Sequence, residues 1–244
     1  MFSIDMLNGS WGSLIWLGAT FFIGVAIYSI STHDTWGGWV NREDHEYSGA
    51  RLFWNQHWAS VMIGLAFFFG LVIRTQWYLV PSMNAYGTGN WDMTGGSDPW
   101  YMKRVVDYIL ANNAHMIVDA DRFYPVGGIN PRPPIFTWSI AVFAMLLDPF
   151  FANGDAVWWA ILSLPAIYGA LTIFPVAFIA REHIGPKASV IAAWLIAFMP
   201  AHVSHTTWAL ADHDAFIMLF ITLGFMFWLR AVKYAGTERL VRTS

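Results

Sequence analysis

Long runs without an ionisable side chain decide what this chain can fold into. A helix needs about 20 mostly apolar residues to cross a bilayer. Residues 11–30 and 156–180 are uncharged throughout, and residues 58–80 carry one charge, Arg74, near one end. A basic side chain in that position is expected to snorkel to the interface. Pro165 and Pro175 are expected to kink 156–180 rather than forbid it. Two shorter apolar runs follow, 188–200 and 215–229. Residues 135–147, fenced by Pro133-Pro134 and Asp148-Pro149, are too short to cross and fit an interfacial or buried helix. Only 12% of the chain is charged, about half the usual share for a soluble domain, too little to cover a water-facing surface. The 15 tryptophans suit membrane interfaces. A net charge of −3 gives no reason to expect nucleic acid, and the absence of cysteine excludes disulfides and thiolate metal sites. The expected fold is all-α and polytopic, with a long external first loop containing short helices.

Basic residues give the sidedness. Arg181 and Lys187 flank a tight hinge, and Arg230, Lys233, Arg239 and Arg242 follow the last run. Lys/Arg-rich ends face the cytoplasm. The turn 202–214 then lies outside, and so does the long stretch 81–155. Counting back, 31–57 is cytoplasmic and the N-terminus external, with 11–30 taken as a retained span rather than a signal peptide, because no basic segment precedes it. The expected organisation is an extra span and cytoplasmic loop over 1–57, then a multi-span region over 58–244, with its external loop at 81–155 and spans near 156–180, 188–201 and 215–229.

Two acidic segments, distant in sequence, thus share the external face. In Asp212-His213-Asp214 two carboxylates flank an imidazole where an apolar run begins. On an irregular turn they can converge on one hard divalent ion. The alternative is structural: Asp212 as a helix N-cap and Asp214 as a first-turn acid. Asp98 follows Gly95-Gly96-Ser97 and precedes Pro99, which suits the first turn of a helix running to about Leu110. It reads either as that helix's cap or as a ligand approached closely across the glycines. Arg104, Arg122 and Arg132 are external cations able to meet phosphate, against a default role as solvated loop charges. Asp119-Ala120-Asp121 has no membrane edge behind it and reads as a decoy. His202 and His205 are either interfacial or donors to phosphate or metal. His115 and His183 read as structural.

In order and spacing these residues resemble the catalytic subunit of oligosaccharyltransferase, in its single-subunit archaeal style. The resemblance runs over roughly 61–232. Asp98-Pro99-Trp100-Tyr101-Met102-Lys103-Arg104 is similar to the family's first acidic signature. Tyr124-Pro125-Val126-Gly127 is similar to its tyrosine-proline-x-glycine segment, and Phe198-Met199-Pro200 through Asp212-His213-Asp214 to its second signature. The resemblance implies transfer of a glycan, with inversion, from a dolichyl phosphate or diphosphate donor to the asparagine of a sequon in a secreted polypeptide. It implies a divalent ion, Mn²⁺ or Mg²⁺, held by Asp98, Asp212 and Asp214, with Asp98 also contacting the acceptor amide. Donor phosphate is expected at His205, Arg104 and Arg122. The partners implied are the lipid-linked donor, the sequon polypeptide and membrane lipid. The implied location is the cell membrane, with the site on the extracytoplasmic face.

Departures from the family pattern are specific. His205 stands where the family usually has arginine, seven residues before the second signature, and Met102 where it often has histidine. The run 11–30 is extra. The tryptophan-tryptophan-aspartate-tyrosine-glycine acceptor motif does not occur, since Trp158-Trp159 is followed by Ala160. A later third acidic group is also missing. The sequence therefore reads as an N-terminal part holding half a site. The rival readings are another polyprenyl-phosphate-sugar glycosyltransferase, such as a protein mannosyltransferase, and a non-enzymatic scaffold or transporter half. Ionisable residues at span ends rather than mid-depth disfavour a transporter.

Overall fold

The computed structural model describes residues 50–76, 79–86, 88–151 and 154–235. The run 11–30, the stretch before Ala50 expected to be cytoplasmic and the basic residues Arg239 and Arg242 lie outside these. Among the described residues the regular structure is helical but for one ribbon of two short strands, joined by irregular loops. The elements are α1 (Ala50–Thr75), α2 (Leu79–Ala85), α3 (Ser97–Asn112), β1 (Val118–Asp119), β2 (Gly128–Ile129), α4 (Pro134–Leu147), a 3₁₀ turn (Asp148–Phe150), α5 (Asp155–Leu171), α6 (Ile173–His183), α7 (Pro186–Phe198), α8 (Pro200–Ser204) and α9 (Asp214–Tyr234). Three helical stretches among them are long and apolar enough to cross a membrane: His57–Thr75, Asp155–His183 and Asp214–Lys233. The apolar stretches Pro134–Phe150 and Pro186–Phe198 are shorter.

Proline chemistry explains the breaks. Pro175 has no N–H to give to the carbonyl four residues back, at Leu171, and its ring crowds that carbonyl. α5 ends there, and α6 restarts past Thr172. Pro165 lies inside α5 and is carried through. Pro200 ends α7 and opens the short α8, since the residue before proline avoids helical geometry; Met199 has ψ 115°.

The described residues divide into two compact units. One contains most of α1, α6, α7 and the later part of α9. Its core packs Trp58, Met62 and Ala66 with Ile173, Ala177, Val190, Ala193 and Ala197. Small residues let α6 and α7 approach closely, and Ser189 Oγ donates to the Ala177 carbonyl at 2.8 Å. At the far end of this unit Glu182 lies 3.3 Å from Arg230 Nε and 3.8 Å from Lys233 Nζ.

The other unit contains Arg74–Ala170 and Pro200–Ile221. Trp91 anchors its loop. The indole stacks on Trp158 at 5.8 Å between centroids, meets Trp159 edge-on, and donates from Nε1 to Asp155 Oδ1 at 3.0 Å. α4 buries Phe136, Ile140, Ala141 and Ala144, and turns Ile135, Leu146 and neighbouring Phe150 outward.

Arg74 corrects a sequence expectation. Its side chain is not extended to an interface; it is fully buried. Nη2 meets His202 Nδ1 at 2.7 Å, and Nε donates to Thr206 Oγ1 at 2.8 Å. Thr206 in turn donates to the His202 carbonyl at 2.7 Å. A buried charge is tolerated when its donors are met in this way. Gly169 makes the room: a Cβ there would lie 2.4 Å from Thr206 Cβ and 2.9 Å from Arg74 Nε.

Candidate functional site

The backbone of 206–212 is pinned before it reaches the acids. Trp208 N donates to the Arg74 carbonyl at 2.8 Å, Ala209 N to Leu162 at 2.9 Å, and Thr94 N to Ala209 at 2.9 Å. Ala209 adopts a positive φ of 69°. The chain then turns into α9, which begins at Asp214. The His213 carbonyl accepts the Ile217 N–H at 2.9 Å, so His213, not Asp212, sits at the cap position. The N-cap alternative for Asp212 does not hold. Its Oδ1 instead accepts the His213 N–H at 2.7 Å. Asp214 does occupy the first turn.

Asp98 is not a cap either. Gly96 holds that position in α3, with φ 79° and no side-chain cap bond. As the second residue of α3, in its first turn, Asp98 turns its carboxylate outward, where it accepts from Arg132 Nη2. Arg132 Nη1 also lies 3.9 Å from Asp212 Oδ1. Two carboxylates over a hundred residues apart in sequence therefore rest on one guanidinium.

Each acid here faces nitrogen. Asp212 Oδ1 lies 2.5 Å from His213 Nδ1, out of line for a hydrogen bond, which leaves that buried Nδ1 without a hydrogen-bond partner. Asp214 Oδ2 accepts from His205 Nδ1 at 3.0 Å. One ligand atom from each of Asp212, His213 and Asp214 falls within 4.8 Å of the others. Two carboxylates with one imidazole suit a divalent ion such as Mn²⁺, Mg²⁺ or Zn²⁺. The orphaned imidazole nitrogen is what a metal would satisfy, so the donor set fits the group.

The three sequence-identified arginines are placed differently. Arg104 is clamped by Asp119 at 2.8 Å and Asp121 at 2.5 Å, which gives the acid-x-acid triplet a structural task. Arg122 donates from Nη1 to the Ile129 carbonyl at 2.6 Å and lies over the Phe123 ring. Arg132 reaches the acids. The sequence alone offers it only as one more external cation. The signal for it was the rigid Pro131-Arg132-Pro133-Pro134 sequence behind Asn130. Asn130 Nδ2 donates to the Met116 carbonyl at 2.8 Å, and its Oδ1 accepts the Arg132 N–H at 2.9 Å.

Asp98, Tyr101, Arg104, Asp119, Asp121, Arg122 and Arg132 line one open cleft of about 470 Å³. Burial, then the charge of Asp119, pushes the Tyr101 phenol above its ordinary value and keeps it neutral. His202, buried in the Arg74 network, is drawn down to about 4, by burial first and by the Arg74 charge second. It is a neutral structural acceptor, not a phosphate donor. His115 Nε2 lies 3.3 Å from Asn130 Nδ2.

Residues 65–238 match the model of the family described as "Oligosaccharyl transferase STT3, N-terminal". A curated relative, dolichyl-phosphooligosaccharide-protein glycotransferase 3 of Archaeoglobus fulgidus, is 33% identical over 107 residues, which is 43% of this chain and 12% of the relative. A solved structure described as the archaeal oligosaccharyltransferase AglB from the same organism, with an inhibitory peptide and a dolichol-phosphate, superposes with a TM-score of 0.66 at 21% identity. The match covers 79% of this chain and 22% of that one. A second structure, of the Archaeoglobus fulgidus oligosaccharyltransferase complexed with Zn and sulfate, gives 0.63 at 22% identity over 73% of this chain and 22% of its own. The chain thus spans about an eighth of the curated relative and a fifth of the solved structures. These likenesses bear out the all-α membrane fold.

Proposed function

This chain belongs to the STT3 oligosaccharyl transferase family, matching its N-terminal part, and from that premise we propose that it carries the catalytic acids of an enzyme of protein N-glycosylation. The substrates are a dolichyl-linked oligosaccharide (mono- or diphosphate) and an asparagine sequon in a polypeptide on the extracytoplasmic side of the cell membrane. The observation that carries the reading is the meeting of Asp98 and Asp212 on one guanidinium, beside Asp214.

Asp98, Asp212 and Asp214, with His213 beside them, would hold a divalent ion. When bound, such an ion supplies positive charge to the departing phosphate. The protein's own groups do the rest. A carboxamide nitrogen is a poor nucleophile because its lone pair is delocalised. Asp98 accepts a hydrogen bond from that N–H, which localises the pair and gives the proton a destination. The nitrogen–C1 bond forms on the face opposite the phosphate, the C1–oxygen bond breaks, and the phosphate keeps that electron pair. His205, two-thirds exposed beside Asp214, is placed to meet the phosphate. Arg104 and Arg122 line the adjoining cleft and contribute field rather than direct contact, since Asp119, Asp121 and the Ile129 carbonyl already engage them.

The test is chromosomal Asp98→Ala or Asp214→Ala in the source organism, followed by transfer of labelled donor glycan to a sequon peptide in its membranes. Transfer falls at least a hundredfold in each. Undiminished transfer in both variants would overturn the assignment.

A further inference from the structure

We infer that Arg132 is an internal counter-cation that competes with a divalent ion for Asp98 and Asp212, so that loading the ion requires the guanidinium to let go. This rests on the acid site proposed above.

Three observations point this way. The first is occupancy: Nη2 of Arg132 is bonded to Asp98 Oδ1, and Nη1 lies 3.9 Å from Asp212 Oδ1. Those are two of the carboxylates a metal would use. The planar fork of arginine suits two oxygens at once, as a lysine ammonium does not.

The second is preorganisation. Asn130 ties the Arg132 backbone from in front, and its own N–H is held by the Ile117 carbonyl at 2.9 Å. Prolines on both sides fix the local φ. The side chain is only 14% exposed, and its guanidinium lies 5.8 Å from the Tyr101 ring centroid. It is a stiffly mounted arm rather than a solvated loop charge.

The third is an unspent donor. Arg132 Nε is buried without a hydrogen-bond partner. Carboxylates gathered at a low-dielectric edge repel one another, and one cation removes that cost. A second cation gains less, so guanidinium and metal oppose each other. A displaced Arg132 stays in the cleft it already lines, beside Arg104 and Arg122, and its free donors then face any anion brought there.

The experiment is Mn²⁺ binding to the detergent-solubilised chain, read from the free-Mn²⁺ electron paramagnetic resonance signal. Arg132→Gln is expected to tighten Mn²⁺ binding at least tenfold. Arg132→Lys, which keeps the charge but cannot bridge, tightens it by a smaller factor. Arg104→Gln removes a cation from the same cleft that is tied to Asp119 and Asp121, and shifts affinity less than threefold. Unchanged or weaker binding in Arg132→Gln overturns the inference, as does an equal gain in Arg104→Gln, which would mean general charge rather than competition. Asp214→Asn separates the two readings. If it abolishes Mn²⁺ binding while Arg132→Gln changes nothing, the acid site stands and the competition falls. If neither the unmodified chain nor any variant binds Mn²⁺, both fall.

Discussion

At the scale of the residue, Arg74 teaches most. Its guanidinium satisfies His202 and Thr206 in a dry setting. Removing one partner of a buried hydrogen bond costs about 1–3 kcal/mol for each group stranded. Arg74→Met strands His202 Nδ1 and leaves Thr206 Oγ1 only its bond to the His202 carbonyl, so thermal unfolding in detergent should show a loss of about 1–3 kcal/mol. Gly169→Ala should cost about 1–3 kcal/mol through overpacking against Thr206. His202 gives a pH signature. Its folded pKa, about 4, lies below the ordinary 6.5, so between those values the unfolded chain binds a proton that the folded chain refuses. Stability therefore falls as pH drops from about 6.5 to about 4. His202→Gln should flatten that slope, measured by melting temperature across the window. None of this was legible in the sequence. A lone arginine at the end of an apolar run looks the same whether it meets water or a histidine 128 residues away.

At the scale of the element, helix existence was readable and helix chemistry less so. Apolar length announced α1 and α5, a shorter apolar run announced α9, and the prolines announced a kink within 156–180, which falls before Pro175 and not at Pro165. Of the two readings open for each acid, cap or ligand, the cap reading falls. Asp98 and Asp212 each stand before a helix as N-caps do, yet Gly96 and His213 take those positions. At Asp98 the guanidinium of residue 132 takes the carboxylate in place of a backbone N–H, because a charge-assisted bond is the stronger one; Asp212 keeps a backbone partner, the N–H of its neighbour His213. The β1–β2 ribbon pairs Val118 with Ile129 and Asp119 with Gly128, and was not foreseen, since two residues per strand leave no periodic trace. Gly127, at φ 79°, turns the chain into it. Gly127→Ala should cost about 1–2 kcal/mol by forcing a Cβ into the left-handed region. Because the ribbon sets Asp119 and leads to Arg132, the variant should also shift Mn²⁺ affinity, whereas a purely local defect would not.

At the scale of the whole molecule, charge asymmetry and apolar length were enough to place residues 98 and 212 on one proposed face, before any geometry. Cysteines introduced at Ser97 and His213 should react with a membrane-impermeant maleimide from the same side of sealed vesicles. Opposite accessibility would end the shared-site reading. The chain has no cysteine of its own to confuse the labelling. What pattern could not supply was which cation reaches the acids, since three arginines look alike in the loop. The distance that hid the partner of Arg74 also has a consequence during synthesis. A ribosome adding roughly 5–20 residues per second makes Arg74 on the order of ten seconds before His202 exists. Through that interval α1 holds a positive charge that has not yet met His202 and Thr206, in a segment otherwise ready to enter lipid. The insertion machinery must shelter it, or the helix must sit high and settle late. The Arg74–His202 pairing therefore closes only after more than a hundred further residues have left the ribosome.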